Sequence, residues 1–83
     1  MQLELITPTG SVFSGEVKLA KFPGSSGSFE ILNNHAPIIS ALTNGELKIE
    51  TDAGETLSFI TSGGIVEVKE NRIMVLVETI RKK

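Results

Sequence analysis

His35 is the only histidine of this 83-residue chain, and there is no cysteine. A histidine-rich metal site or a cysteine-ligated zinc needs several such ligands, so neither can be built, and a hydrolytic triad would have to form around His35. Ser25, Ser26 and Ser28 precede it, but they sit in a glycine-rich stretch with no nucleophile-elbow pattern nearby. Gly24-Ser25-Ser26-Gly27 could present backbone amides to an anion, as a phosphate loop does. It lacks the Gly-Lys-Ser/Thr ending and no helical pattern follows, so it reads as a tight turn that needs a positive φ. The carboxylates Glu46, Glu50, Asp52 and Glu55 gather around one hairpin, where they are its solvated faces and tip; a calcium loop needs a denser run. His35, within Asn34-His35-Ala36-Pro37, stays open between a partner contact whose charge changes near neutral pH and an imidazole that fixes a turn.

No residue set here forms an active site, which directs attention to binding and to the scaffold that would present it. Hydrophobic residues make up 40% of the chain and charged residues 22%, the balance of a folded globular domain. A chain this short has one core. The net charge of −2, with basic residues scattered singly except for Arg81-Lys82-Lys83, lacks the basic stripe that nucleic-acid binding requires. That basic end reads as a solvated tail, residues 79–83, after a core of residues 1–78. Tyr and Trp are absent, so platforms for stacking bases or sugars are scarce too. The longest apolar run, Ile73 to Val77, falls far short of a membrane span, and Met1 to Ile6 has no basic region ahead of an apolar stretch. The expectation is a cytosolic chain without a signal peptide.

Short alternations of apolar and polar residues recur at Leu3 and Leu5, Leu47 and Ile49, Leu57 and Phe59, Val66 and Val68, and Ile73, Val75 and Val77. Turn signals separate them, among them Pro8-Thr9-Gly10, Asn33-Asn34, Asn44-Gly45, Asp52-Ala53-Gly54, Gly63-Gly64 and Glu70-Asn71. The reading is all-β, a flattened sandwich or barrel of about eight short strands with no helical stripe. After Val17 and Leu19 the apolar phase shifts to Ala20 and Phe22, which predicts a β-bulge and a kink. Ile73-Met74-Val75-Leu76-Val77 is apolar on both faces, so either the domain covers both or one of them meets a partner.

In register along the chain stand Thr7-Pro8-Thr9-Gly10-Ser11-Val12-Phe13-Ser14-Gly15-Glu16-Val17, Phe22-Pro23-Gly24 through Ile31-Leu32, His35-Ala36-Pro37-Ile38-Ile39, Gly45-Glu46-Leu47-Lys48-Ile49 and Ser62-Gly63-Gly64-Ile65-Val66-Glu67-Val68. Together, from about Leu3 to Val77, they resemble the N-terminal β-sandwich of the epsilon subunit of F-type, proton-translocating ATP synthase. The resemblance implies a sandwich of about ten strands, reached if the segment around Val12 and Phe13 is itself a strand. It also implies a non-catalytic rotor subunit of the central stalk that joins the gamma subunit to the membrane c ring. That places the chain peripherally on the cytoplasmic face of a bacterial inner membrane, with no cofactor. Carried over by position, the c-ring contact falls on Ser25, Ser26, Gly27, Ser28 and Glu30, and the gamma contacts on Thr7, His35 and Ser40.

Some positions depart from the family pattern. Where Gly-Glu-Phe-Gly-Ile is common, this chain has Gly27-Ser28-Phe29-Glu30-Ile31, so a carboxylate is present but displaced. Alternation turns Glu30 away from the face of Phe29 and Ile31. Asn33-Asn34 stands for a common Pro-Gly, a replacement that asparagine's tolerance of left-handed geometry permits. Many epsilon subunits continue into a C-terminal helical hairpin; this chain ends at Lys83, so the expectation is a chain without it, unable to bind ATP or to block rotation with helices. Other functions compete. A lipoyl or biotinyl carrier has a similar size and fold but needs a lysine at a hairpin tip, and the tip here is Asp52-Ala53-Gly54. A generic protein-binding module, or an enzyme with His35 as general base, are the remaining readings.

Overall fold

The computed structural model describes residues 1–83. Nine strands follow one another: β1 (Gln2–Thr7), β2 (Gly10–Gly24), β3 (Gly27–Leu32), β4 (Ile38–Leu42), β5 (Gly45–Thr51), β6 (Thr56–Thr61), β7 (Gly64–Lys69), β8 (Arg72–Val77) and β9 (Ile80–Lys82). The all-β expectation holds, and the long second strand explains the strand count. Fifteen extended residues would reach about 50 Å, whereas the longest dimension of the molecule is 26 Å. So β2 has to bend. Its first half pairs with β1, from Thr7↔Gly10 to Gln2↔Glu16, and its second half pairs with both β3 and β5. One strand thus serves two layers, β2–β1–β8–β7–β4 and β3–β2–β5–β6–β9, in which nine elements fill ten strand positions. Val12 and Phe13 lie in the first half of β2, as the ten-strand expectation required.

The bend falls at the predicted bulge. Val17 is opposite Thr51 and Leu19 opposite Glu50, so Lys18 is the extra residue. The slip lets Val17 and Ala20, three positions apart, both point inward, and each has no exposed surface. A second bulge lies between Leu5 and Ile6, where Leu5 faces Phe13 but Ile6 faces Ser11, leaving Val12 over. All pairings are antiparallel except β1 with β8, and at the far edge Gly24↔Leu42 ties the layers together again.

Between the layers lies the core. Leu3 and Leu5 of β1, Phe22 of β2, Ile31 of β3, Leu47 and Ile49 of β5 and Val66 and Val75 of β7 and β8 are all fully buried. Burial of each such side chain contributes about 1.5–3 kcal/mol. Phe22 stacks on Phe29 with ring centroids 5.5 Å apart. Gly27 has φ 124° in the β2–β3 turn, as the tight-turn reading anticipated, and Asn34 takes φ 63°, a left-handed geometry that asparagine tolerates. The segment read as a basic tail holds a strand, β9, because Ile80 pairs with Thr61 and Arg81 with Ile60, and the Lys83 amide donates to the Ser58 carbonyl.

Candidate functional site: one uncovered sheet face

Strand alternation sends every second side chain outward, and the two layers differ in what those outward positions carry. On β4, β7, β8 and β1 the register aligns Ala41 with Ile65, Ile65 with Leu76 and Leu76 with Ile6. This is a continuous apolar row across four strands. The adjacent row runs Ile39, Glu67, Met74, Glu4. Ile39 is 65% exposed, Leu76 45%, Ile65 42% and Met74 38%. At one end the row opens into a groove of about 410 Å³ lined by Ile6, Thr7, Pro8, Gly64, Ile65 and Leu76 among others. Gly64 is required there, because a Cβ would fall inside contact distance of the Leu76 carbonyl oxygen and 2.9 Å from Val77 Cγ1. The structure excludes coverage of both faces of Ile73 to Val77 within the domain: Ile73, Val75 and Val77 are buried, while nothing in the chain covers Met74 and Leu76.

The opposite layer turns charge outward. Lys21 lies in register between Glu30 and Lys48. Lys18 Nζ is 3.2 Å from Glu50, and Lys83 Nζ donates to Glu46 at 3.3 Å. That hydrogen bond holds the Glu46 carboxyl below its ordinary pKa, against an opposing effect of desolvation. Leu32, 52% exposed, is the one large apolar residue standing clear on this side, opposite half-buried Leu19.

The residues carried over by resemblance border these faces. Thr7 is buried at the end of β1, its hydroxyl 3.1 Å from that of Thr9. Ser40, half-buried on β4, shares the inward phase of Ile38 and Leu42 and donates to the Ala41 carbonyl at 3.4 Å. Their immediate neighbours Ile6, Ile39 and Ala41 are the ones that face outward. His35 lies in the loop before β4, its amide donating to the Leu32 carbonyl at 3.2 Å. Its Nδ1 is 2.7 Å from the Ala36 carbonyl oxygen, which can only accept, so Nδ1 carries a proton and Nε2 is left without an intramolecular bond. The ring is thus tied to its own turn. Thr7, His35 and Ser40 do not touch one another; Ser40 and Thr7 belong to strands separated by β7 and β8.

Ser25 and Ser26 form the exposed β2–β3 turn, anchored by the Ser25 amide on the Ala41 carbonyl at 3.1 Å and the Thr43 amide on the Pro23 carbonyl at 2.8 Å. Ser28 and Glu30 follow on the exposed side of β3, while Phe29 and Ile31 turn inward. Two residues apart on one strand, Ser28 and Glu30 share a face. A carboxylate displaced from the first position to the second therefore keeps its direction and moves about 7 Å along the edge. Of the hairpin carboxylates, Asp52 and Glu55 are exposed at the tip, where the Glu55 amide donates to Thr51 Oγ1 at 3.1 Å; Glu50 is half-buried beside them, and Glu46 is exposed at the far end of β5.

Sequence reasoning did not anticipate the apolar face as a whole. Its signal was the doubly apolar Ile73 to Val77 run, which acquires meaning only once the register sets Ile65 and Ile6 on either side of Leu76.

Comparison with known proteins agrees with this architecture. The family model of the ATP synthase, Delta/Epsilon chain, beta-sandwich domain matches residues 1–83. The ATP synthase epsilon chain of Nitratiruptor sp. is 41% identical over 78 residues, covering 94% of this chain and 60% of the relative. That of Methylococcus capsulatus is 37% identical over 79 residues, 95% of this chain and 56% of the relative. The chain thus spans somewhat more than half the length of these curated relatives. Among solved structures, a chain of the Euglena gracilis mitochondrial ATP synthase OSCP/F1/c-ring structure superposes with a TM-score of 0.91 at 20% identity, over 96% of this chain and 51% of that one. A chain of the Tetrahymena thermophila mitochondrial ATP synthase central stalk/c-ring structure gives a TM-score of 0.79 at 25% identity, over 98% and 65%. With its sandwich, its registered motifs and its full-length match all in accord, this chain belongs to the family of the ATP synthase delta/epsilon chain beta-sandwich domain.

Proposed function

We propose that this chain works as a non-catalytic rotor piece of an F-type ATP synthase, joining the gamma subunit of the central stalk to the membrane c ring. The observation that carries this reading is the uncovered apolar row Ala41–Ile65–Leu76–Ile6. A contiguous exposed apolar patch on a small domain marks a protein contact, and this one lies between the positions that the family likeness assigns to gamma, Thr7, His35 and Ser40. The c-ring contact then falls on Ser25, Ser26, Gly27, Ser28 and Glu30, with the Glu30 carboxylate acting from the same face that Ser28 shares. In this reading the chain has no active site of its own, and it sits peripherally at the cytoplasmic face of a bacterial inner membrane through its complex.

The work asked of such a junction is mechanical. Torque is passed on only if neither the body nor its interfaces yield, and a close-packed interior resists deformation. The sandwich supplies 52 backbone hydrogen bonds and leaves no buried side-chain polar atom without a partner. β2 links the two layers covalently, so a load applied at the β2–β3 turn reaches the apolar layer through one continuous strand.

Co-elution with the gamma subunit from the same genome, with the binding constant taken by calorimetry, tests the reading. A stoichiometric complex is expected; no complex at tens of micromolar, about 6 kcal/mol, would overturn it. Within the assembled enzyme, Glu30→Ala and His35→Ala should each reduce coupled proton pumping. Normal coupling in both would remove those site assignments and spare the family membership.

A further inference from the structure

Next to the apolar face, at the end opposite the Gly64 groove, lies a second depression of about 500 Å³. Its charged lining is Glu4, Glu16, Glu67 and Glu70 against Lys69 and Arg72, and Met74 forms part of its apolar wall. Register puts Glu4 on one side of Met74 and Glu67 on the other, so the two acidic residues flank an exposed thioether, their Cα atoms about 10 Å apart across three strands. On the charged layer, Glu46 and Glu50 each have a lysine of this chain within 4 Å. Of the cleft carboxylates only Glu16 has such a partner, the Met1 amino group at 3.4 Å. Lys69 and Arg72 sit one step along the strands, paired with each other across β7 and β8, and neither forms an ion pair with Glu4, Glu67 or Glu70.

Resting on the rotor reading, we infer that this cleft receives a lysine or arginine side chain of the same partner subunit that covers the apolar row. The docking surface is then apolar at its centre and acid-flanked at one end. A long basic side chain suits the site by its chemistry: its methylene stem lies along Met74 and the charged head stands between two carboxylates that this chain leaves unpaired. Apolar contact supplies most of the affinity, whereas the acid pair selects the partner's register and speeds encounter, since complementary charge at a rim acts chiefly on orientation and on association rate. The matching feature on the partner is an apolar ridge followed within one or two turns or strand steps by Lys or Arg.

The test is calorimetric titration of the full chain with the gamma subunit from the same genome, at low and at moderate salt. Compared are the parent chain, the isosteric Glu4→Gln/Glu67→Gln double variant, Glu46→Gln/Glu50→Gln on the opposite layer, and Leu76→Asp, each first checked for an unchanged thermal midpoint. The parent affinity is expected to fall with salt. The Glu4/Glu67 variant should bind roughly tenfold more weakly or worse and lose most of that salt dependence, while the Glu46/Glu50 variant stays within about threefold of the parent. Parent-like affinity and salt dependence in the Glu4/Glu67 variant, alongside lost binding in Leu76→Asp, would overturn the cleft while sparing the rotor reading. Failure of the parent chain to bind gamma at all would overturn both.

Discussion

The two outer faces of the sandwich come from the same alternating strand pattern, yet one is finished and the other is not. On β5 and β2 the outward residues are Glu46, Lys48, Glu50 and Lys21, with Ser58 and half-buried Ile60 beside them on β6, and two of the carboxylates find lysines of the same chain. Exposed ion pairs of this kind add little to stability; their main effect is to make the face self-sufficient in water. On β4, β7, β8 and β1 the outward residues are Ile39, Ala41, Ile65, Leu76 and Ile6, and the nearby Glu4 and Glu67 have no cation in contact. Those apolar groups contribute little to folding, because folding leaves them wet. Under the proposed rotor role, the layer whose inner face is packed as well as its counterpart's is built for a second packing event, whereas the sequence of the charged layer is explained by solvent.

The strongest way to break the comparison is to remove what the two layers share. Phe22 is fully buried and stacked on Phe29, so Phe22→Ala should cost about 3–5 kcal/mol of stability, read from denaturant unfolding. For a domain this small that is a large part of the whole, and binding through either face should fail with it. A loss below 1 kcal/mol would mean that the two layers are not held by this core.

Next in size is a substitution that separates the faces. Leu76→Asp places a charge in the middle of the apolar row at a residue already 45% exposed. Binding to the gamma subunit should weaken by about 2 kcal/mol or more, with the thermal midpoint within a degree or two of the parent. Lys48→Asp on the opposite layer should leave binding within about threefold. Equal effects from the two substitutions would dissolve the distinction between the faces.

These contrasts also show where the amino-acid sequence speaks and where it falls silent. The inner faces were legible because burial is written locally: Leu47 and Ile49, Val66 and Val68, and Ile73, Val75 and Val77 each announce a strand and its inward side. The Lys18 bulge was legible for the same reason, since a phase slip between Val17 and Ala20 occurs within four residues. The role of β2 in both layers was not, because it depends on which strands lie beside each half of it. The bulge at Val12 also escaped notice, as Val12 and Phe13 are both apolar and mask the slip. The apolar outer row draws one residue from each of four strands spread from Ile6 to Leu76, and only the register of three ladders brings them together. Thr7 and Ser40 came from family likeness alone, and their side chains turn inward; what they mark is the border of the face that their neighbours form.

A smaller effect tests the loop that joins the layers beyond β3. Asn34 holds φ 63°, and its amide donates to Asn71 Oδ1 at 2.8 Å, tying the β3–β4 connection to the β7–β8 turn. Asn71→Ala removes that acceptor and also puts alanine at φ 60°, so it should cost about 1–3 kcal/mol. Asn34→Gly keeps the amide and relieves the left-handed strain, so it should be neutral or slightly stabilising. If Asn34→Gly proved as harmful as Asn71→Ala, the asparagine side chain and not its backbone conformation would be the feature under constraint.

The mildest expectation concerns the charged face alone. Lys83 Nζ donates to the Glu46 carboxylate, and this lowers the folded-state pKa of Glu46 below its ordinary value. A carboxylate with a depressed folded pKa stabilises the fold above its unfolded pKa, and that contribution disappears as pH falls through the lowered folded value. Lys83→Ala should therefore return the Glu46 titration, followed by NMR of its side-chain carboxyl carbon, towards the ordinary carboxylate position. The accompanying loss of stability at neutral pH should be small, since both partners are well exposed, and it should vanish in acid and shrink in high salt. Gamma binding should not change. A Glu46 titration that stays depressed without Lys83 would assign the shift to Lys48 or to the Ser58 hydroxyl, the other groups that favour its charged form, and would show that this face is balanced by a network and not by one pair.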